Sequence, residues 1–280
     1  MGIQLGIVGY GGMGGFHHRN ASKIEGVQVV GAYDIDPVRV QVAEESGLRG
    51  FSSLEDLLAC EDINTVLVAV PNDCHMEICI AASNAGKHVI CEKPAALNVD
   101  ELDQMIAAAG RNGKLFTVHQ NRRWDKDFRI VKDILDSGEL GKVYSIQSRL
   151  HGSGGVMFGW RGEKKHGGGM LYDWGVHFID QLMWMLGYDN FRSVFCKTSN
   201  VKTTEVEDYF FLVFDLEDGS HVLNSTPFVR QYDIMFNRWG DFNAKGSTKQ
   251  TIYAGVQENG CRNHEKRTSE YPCNDAGIWN

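Results

Sequence analysis

Seven cysteines are an odd number, and no two of them form a C-x-x-C pair. That argues against both a disulfide framework and a zinc knuckle, and the reading is reduced thiols in a cytoplasmic protein. Cys74, Cys79 and Cys91 fall in segments that read as buried elements. No apolar run approaches the roughly 18 residues needed to cross a bilayer. Met1 leads into a stretch too short and too glycine-rich for a signal peptide. Positive charge is in deficit, with 28 Lys and Arg against 36 Asp and Glu, for a net charge of −8. An acidic surface disfavours nucleic acid and anionic membrane as partners.

What is present describes a soluble globular chain. Apolar residues make up 42% and charged residues 23% of 280 positions, a length that accommodates two domains. In the first half, short apolar runs recur at Ile3 to Val8, Val27 to Asp34, Thr65 to Val70, His88 to Cys91 and Leu115 to Val118. Such runs suit parallel strands buried on both faces. Helical patterns lie between them. Ser52-x-x-Glu55 and Asn98-x-x-Glu101 resemble capping boxes, and Gly113 reads as a helix stop. The alternation predicts a doubly wound sheet with right-handed crossovers.

The first turn is the most informative. Gly9-Tyr10-Gly11-Gly12-Met13-Gly14 follows the opening strand as G-x-G-x-x-G. Its glycines permit a tight turn, close approach of a pyrophosphate and close packing of the next helix, whose N-terminal amides face the phosphates. The plain alternative is a glycine-rich turn with no ligand. Context favours a dinucleotide, because Asp34 ends the second strand about 20 residues past the last glycine, where an acid binds the ribose hydroxyls. That acid would repel a 2′-phosphate, and no arginine follows until Arg39, so NAD is preferred to NADP. His17 and His18 lie just downstream without a four-ligand zinc set, and are expected to pack or hydrogen-bond on the first helix.

The second half reads as α+β. Asp127 to Leu135 is helical with Gly138 as a stop, Lys142 to His151 reads as a strand, and so does Phe191 to Ser199. Tyr209 to Asn224 holds two β-rich runs around Glu217-Asp218-Gly219-Ser220, a hairpin signal. Between these lies GGGMLYDWGVHFIDQ, Gly167 to Gln181, where Asp173 and His177 stand four residues apart in an apolar helical run. On a helix they share a face, with Asp180 continuing it, while Phe178, Ile179, Leu182 and Leu186 make an opposing apolar stripe. The glycines would allow close approach to a ligand. Standing alone, the pair would read as a core histidine held by an aspartate.

Four stretches change that balance when read together. They are the glycine turn; Val70-Pro71-Asn72 with His75, leading to Gly86-Lys87-His88-Val89-Ile90-Cys91-Glu92-Lys93-Pro94; Asn121-Arg122-Arg123-Trp124-Asp125; and the Asp173/His177 segment. Together they resemble the Gfo/Idh/MocA oxidoreductases, the glucose–fructose oxidoreductase and inositol dehydrogenase family, from Ile3 to about Gly187. The resemblance implies an N-terminal Rossmann domain with a doubly wound parallel sheet (1–122). A C-terminal α+β domain with an open, mostly antiparallel sheet (123–280) would bind substrate and serve oligomerisation. It also implies a cis Lys93–Pro94 bond, with Lys93 near the nicotinamide and the reacting hydroxyl. Family members usually continue past Gly277-Ile278-Trp279-Asn280, so the chain reads as a short or truncated member.

The resemblance assigns Lys93, Asp173 and His177 to catalysis. Gly9, Gly11, Gly12, Met13, Gly14, Asp34, Pro71, Asn72, His75, Glu92 and Lys93 are expected around the dinucleotide. Asn121, Arg122, Trp160 and His166 are candidate substrate contacts, although packing or salt-bridge roles fit each of them as well. An unperturbed histidine, with a pKa of about 6.5, can take a hydroxyl proton at neutral pH. Asp173 would orient that ring, and Lys93 would stabilise a developing alkoxide. No metal is required. The expected activity is hydride transfer between NAD and a CH–OH carbon of a sugar, polyol or inositol, in a cytoplasmic homo-oligomer, dimer or tetramer. Two rivals are a redox-neutral sugar-modifying enzyme that recycles bound NAD, and a dinucleotide-sensing regulator without catalysis. The joint presence of Lys93, Asp173 and His177 argues against the regulator.

Overall fold

The computed structural model describes residues 2–151, 159–225 and 249–256. The chain divides into two compact units. One comprises Met1–His119 with Lys165–Gly167; the other comprises Gln120–Lys164 and the described residues from Gly168 onward. Cys261, Cys273 and the tail from Gly277 to Asn280 lie outside the described residues.

The first unit alternates strands and helices. In order it contains β1 (Ile3–Val8), α1 (Gly12–Ala21), β2 (Val27–Tyr33), α2 (Pro37–Glu45), β3 (Arg49–Gly50), α3 (Leu54–Ala59) and β4 (Thr65–Val68). A 3-10 turn (Asn72–Cys74) then runs into α4 (His75–Asn84), followed by β5 (His88–Cys91), α5 (Val99–Arg111) and β6 (Phe116–Val118). The six strands form one sheet in the order β3-β2-β1-β4-β5-β6. Every pairing is parallel. All four residues of β4 are buried, as a strand covered on both faces requires. The order reverses between β1 and β4, so the loops leaving those strands diverge and open a crevice at the carboxyl edge of the sheet.

Local chemistry sets the helix ends. Asn98 caps α5: its Oδ1 accepts from the Glu101 amide at 2.9 Å, and its Nδ2 donates to Glu101 Oε1 at 2.8 Å. The cap expected at Ser52 sits one residue later. Ser53 Oγ accepts from the Asp56 amide at 3.0 Å, while Ser52 Oγ donates to the Asp56 carboxylate at 2.7 Å. Two adjacent serines can serve one helix end, and the backbone at Ser53 is the one that turns in extended conformation before the first helical residue. The very short β3, which no apolar run announces, exists because Arg49 and Gly50 pair with Gly31 and Ala32 of β2. Apolar residues of β1, β4 and β5 pack with Leu57, Leu58, Cys79, Ala82 and Met105 from the helices. Burial of each large aliphatic chain contributes roughly 1.5–3 kcal/mol.

The second unit contains a 3-10 turn (Asn121–Trp124), α6 (Lys126–Asp136), β7 (Val143–His151) and a 3-10 turn at Gly159–Gly162. A π-helical turn (Leu171–Gly175) runs into α7 (Val176–Leu186), followed by β8 (Phe191–Ser199), β9 (Tyr209–Leu216), β10 (His221–Ser225) and β11 (Lys249–Val256). Its sheet runs β11-β7-β10-β9-β8. The β10–β7 pairing is parallel and the other three are antiparallel. The Asp218-Gly219 hairpin forms as the sequence predicts, with Gly219 at φ +82°. Burial alternates strictly along β9, and its inward Phe210, Leu212, Phe214 and Leu216 meet Phe178 and Leu182 of α7. No helix among the described residues is long and apolar enough to cross a membrane.

The segment from Gly167 to Gln181 departs from a plain α-helix. Leu171–Gly175 is wound as a π turn, so Asp173 sits in the wider turn and His177 in the α-helix that follows. A carboxylate from elsewhere in the unit supports this winding. Glu207 Oε1 accepts from the Leu171 amide at 2.9 Å, and the Glu207 carbonyl accepts from the Met170 amide at 2.9 Å. The single-turn insertion re-aims the residues at its start relative to those further along.

Candidate active site

The glycine turn after β1 is built for closeness. Gly9 has φ +90°, and a Cβ there would lie 2.4 Å from the Ala69 carbonyl oxygen. A Cβ on Gly14 would fall 2.0 Å from the Gly9 carbonyl oxygen, so only glycine lets α1 pack this tightly on the turn that precedes it. Gly12, Met13 and Gly14 open α1, and the first amides of a helix have no acceptor within it. They therefore present N–H groups where an anion would sit. Asp34, directly after β2, reaches back across this turn: its Oδ2 accepts from the Tyr10 amide at 2.7 Å and its Oδ1 from the Asp36 amide at 2.9 Å. Two backbone donors thus fix the carboxylate beside the turn. Arg39 stands close by, since a Cβ on Gly11 would lie 3.5 Å from its Nη1. A dinucleotide fits this set of donors and the space the absent side chains leave. The glycines and amides would hold its phosphates, and Asp34 its ribose.

The loops after β4 and β5 meet through His75. This ring is fully buried. Its Nδ1 lies 2.9 Å from the Pro94 carbonyl oxygen and its Nε2 3.0 Å from that of Val70. His75 thus ties the two loops together from beneath and reaches no solvent, so any part in dinucleotide binding runs through the backbone it holds. Burial pulls its pKa down, but hydrogen bonds to Cys91, Pro94 and Val70 outweigh that and raise it overall. Asn72 is also buried and donates through Nδ2 to the Gly167 carbonyl at 2.9 Å. His166 pairs with Asp73, Nδ1 to Oδ2, at 2.9 Å. The Lys93–Pro94 bond is cis, as the resemblance implies. Lys93 is partly exposed and Glu92 is buried.

In the second unit, His177 is buried at the start of α7 and stands edge-on to Trp174 with ring centroids 6.0 Å apart. Arg122 lies over the other partner of that stack, its guanidinium carbon 4.1 Å from the Trp174 ring, and its Nη1 bonds Asp125 at 3.0 Å. Asp173 pairs with Arg161 at 3.5 Å, and Arg161 in turn lies 4.5 Å above Trp160. Asp180 is taken by Arg123 through two hydrogen bonds of 2.7 and 2.5 Å. Asn121 is exposed. The candidate substrate residues Arg122 and Trp160 are therefore already stacked on neighbours within their own unit. The glycines of this segment approach protein. A Cβ on Gly168 would lie 2.2 Å from the Arg161 carbonyl oxygen, and one on Gly169 2.5 Å from Glu207 Oε1.

Sequence reasoning passed over Glu207 and His119. Glu207 carries no local signal, being an acid in a loop that reaches the π turn 36 residues back. His119 does carry one once strand neighbours are known, because Cys91 and Val118 are register partners and Glu92 and His119 follow them.

A parallel sheet that reverses around a glycine turn, with an acid after its second strand, is the arrangement of a dinucleotide-binding Rossmann unit, here followed by a unit with a largely antiparallel sheet. Residues 3–120 match the model of the oxidoreductase family with an NAD-binding Rossmann fold, and residues 128–240 match the GFO/IDH/MocA C-terminal domain. The chain belongs to the Gfo/Idh/MocA oxidoreductase family. An inositol 2-dehydrogenase of Salmonella typhimurium is 30% identical over 80% of this chain and 66% of its own length. A scyllo-inositol 2-dehydrogenase (NADP(+)) of Bacillus subtilis is 32% identical over 74% of this chain and 60% of its own. This chain thus spans less than two-thirds of either relative. The crystal structure of an NAD-binding protein from Listeria innocua superposes with a TM-score of 0.80 at 37% identity, covering 91% of this chain and 73% of that one.

Proposed function

We propose that this protein is an NAD-dependent dehydrogenase that oxidises a CH–OH group of a sugar, polyol or inositol. The observation that carries the reading is the carboxyl edge of the parallel sheet, where the glycine turn, the anchored Asp34 and the Glu92–Lys93 turn follow β1, β2 and β5. The relatives named for inositol oxidation point to the substrate class.

Bound NAD supplies the hydride acceptor. The chain's own residues do the rest. Gly9, Gly11 and the amides of Gly12 to Gly14 hold the phosphates, and Asp34 holds the ribose. Pro71 and Asn72 form the loop beside them. Lys93 donates a hydrogen bond to the substrate oxygen and favours its alkoxide character. His177 takes the hydroxyl proton, and the nearby Asp173 carboxylate, four residues earlier in the preceding π turn, favours the resulting charge. Asn121, Arg122, Trp160 and His166 supply polar and aromatic edges for the substrate.

NAD is preferred because the Asp34 carboxylate, held by two amides, opposes a 2′-phosphate. Arg39 near Gly11 is a cation that would favour NADP, the cofactor named for the Bacillus relative. The same reading makes the protein a cytoplasmic homo-oligomer. β8 is the edge strand of its sheet and its residues from Arg192 to Thr198 are exposed, which leaves that edge open to a partner.

The test is a panel of inositols, sugars and sugar acids assayed with NAD and with NADP by absorbance at about 340 nm. NADH formation with a polyol is expected, as is its loss in Lys93→Ala with NAD binding retained. Unchanged turnover in that variant would refute the assignment.

A further inference from the structure

The nucleotide-binding unit holds a cluster of two buried residues and the partly exposed His119, to which the proposed reaction assigns no step. Glu92 and His17 are 6% and 8% exposed. Glu92 Oε1 lies 2.6 Å from His17 Nε2 and 3.1 Å from His119 Nδ1. Its other oxygen, Oε2, accepts from the backbone N–H of Lys93 at 3.1 Å. The two imidazoles stand edge to face with centroids 4.5 Å apart. The three residues come from three places: His17 from α1, Glu92 from the end of β5, His119 from the end of β6.

Proton accounting makes the cluster specific. An ionised carboxylate only accepts, and a neutral imidazole has one N–H. His17 must therefore carry its proton on Nε2 and His119 on Nδ1, opposite tautomers set by one oxygen. Burial pushes the Glu92 pKa up, but the hydrogen bonds from His119 and His17 overcome it and hold the carboxyl well below the usual carboxylate range. At 2.6 and 3.1 Å the donors and acceptor are in direct hydrogen-bond contact, the spacing of groups that bond one another rather than surround a cation.

We propose that His119 and His17 are positioning residues. They clamp Glu92, and Glu92 fixes the backbone of Lys93, so the lysine is set for its substrate oxygen by two histidines that touch neither substrate nor cofactor. The kinetic part rests on the dehydrogenase reading above; the tautomer assignment stands without it.

The geometry predicts which replacements work. Asparagine puts its amide nitrogen where a histidine has Nδ1, and glutamine puts its own where a histidine has Nε2. His119→Asn and His17→Gln are therefore expected to keep kcat within about threefold of the parent, whereas His119→Gln and His17→Asn lose about tenfold or more, with KM for NAD moved less than kcat. A purely structural role would not separate the two amides in this crossed pattern. Equal behaviour of asparagine and glutamine at both positions would overturn the proposal. The second measurement needs no turnover and no variant. Nitrogen-15 NMR of the histidines in the intact protein should show His17 as the Nε2–H tautomer and His119 as the Nδ1–H tautomer. Both rings in the same tautomer would overturn the proposal even in an inactive protein. So would a cobalt(II) titration giving a visible ligand-field band that Glu92→Gln abolishes, because the cluster would then be a metal site. If the tautomers are as stated and no polyol is oxidised, the dehydrogenase reading fails and the clamp stands.

Discussion

His75 and Pro94 are joined by a buried hydrogen bond of 2.9 Å from Nδ1 to the Pro94 carbonyl, while the opposite ring nitrogen meets the Val70 carbonyl at 3.0 Å. Carbonyl oxygens have no proton to give, so a ring that donates to both carries an N–H on each side, the imidazolium form that its raised pKa favours. The buried ring thus ties the loop after β4 to the turn after β5.

A pH dependence follows. The folded-state pKa of His75 is raised above the ordinary histidine value near 6.5. Its stabilisation is therefore complete below that ordinary value and is lost as pH rises through the folded one. The stability difference between the parent and His75→Phe, measured by urea unfolding, is expected to be about 2–3 kcal/mol at about pH 6 and to shrink in alkali. A difference that grows with pH would show that the ring is neutral in the fold.

Gly14 offers a sharper local test. Its missing Cβ would fall 2.0 Å from the Gly9 carbonyl oxygen. Gly14→Ala must push α1 away from the turn and displace the amides that open the helix. Dinucleotide affinity, read by quenching of tryptophan fluorescence, should fall by about tenfold or more. Retained affinity would mean that the phosphates sit elsewhere.

The proposed function gives Asp34 the choice between NAD and NADP. Asp34→Ser removes the charge and keeps a short acceptor for the Tyr10 amide, which Asp34 Oδ2 now holds at 2.7 Å. With Arg39 nearby, kcat/KM for NADP relative to NAD is expected to rise by about tenfold or more. An unchanged ratio would remove Asp34 from the ribose site.

Arg123 and Asp180 brace the Asn121–Trp124 turn on α7 through a two-pronged ion pair. The Asp180 hydrogen bond raises the arginine pKa and outweighs the lowering by burial. Arg123→Lys keeps the charge but loses the planar fork, so it should recover little of the roughly 1–2 kcal/mol lost in Arg123→Ala. Full recovery by lysine, seen in thermal unfolding, would reduce the pair to simple charge attraction.

Local pattern alone determined much of this protein. Strand and helix alternation, the G-x-G-x-x-G turn with Asp34 beyond it, the Asn98 cap and the Asp218-Gly219 hairpin depend on neighbours a few residues apart, and all are legible in order along the chain. Tertiary structure alone decided the rest, because those features depend on groups that are far apart in sequence. The π turn at Leu171–Gly175 is held by Glu207, the orientation of His75 by Val70 and Pro94, and the state of Glu92 by histidines 75 and 27 residues away. A carboxylate's charge and a ring's tautomer are set by whichever donors and acceptors surround them once water is excluded, and only the folded chain brings those together.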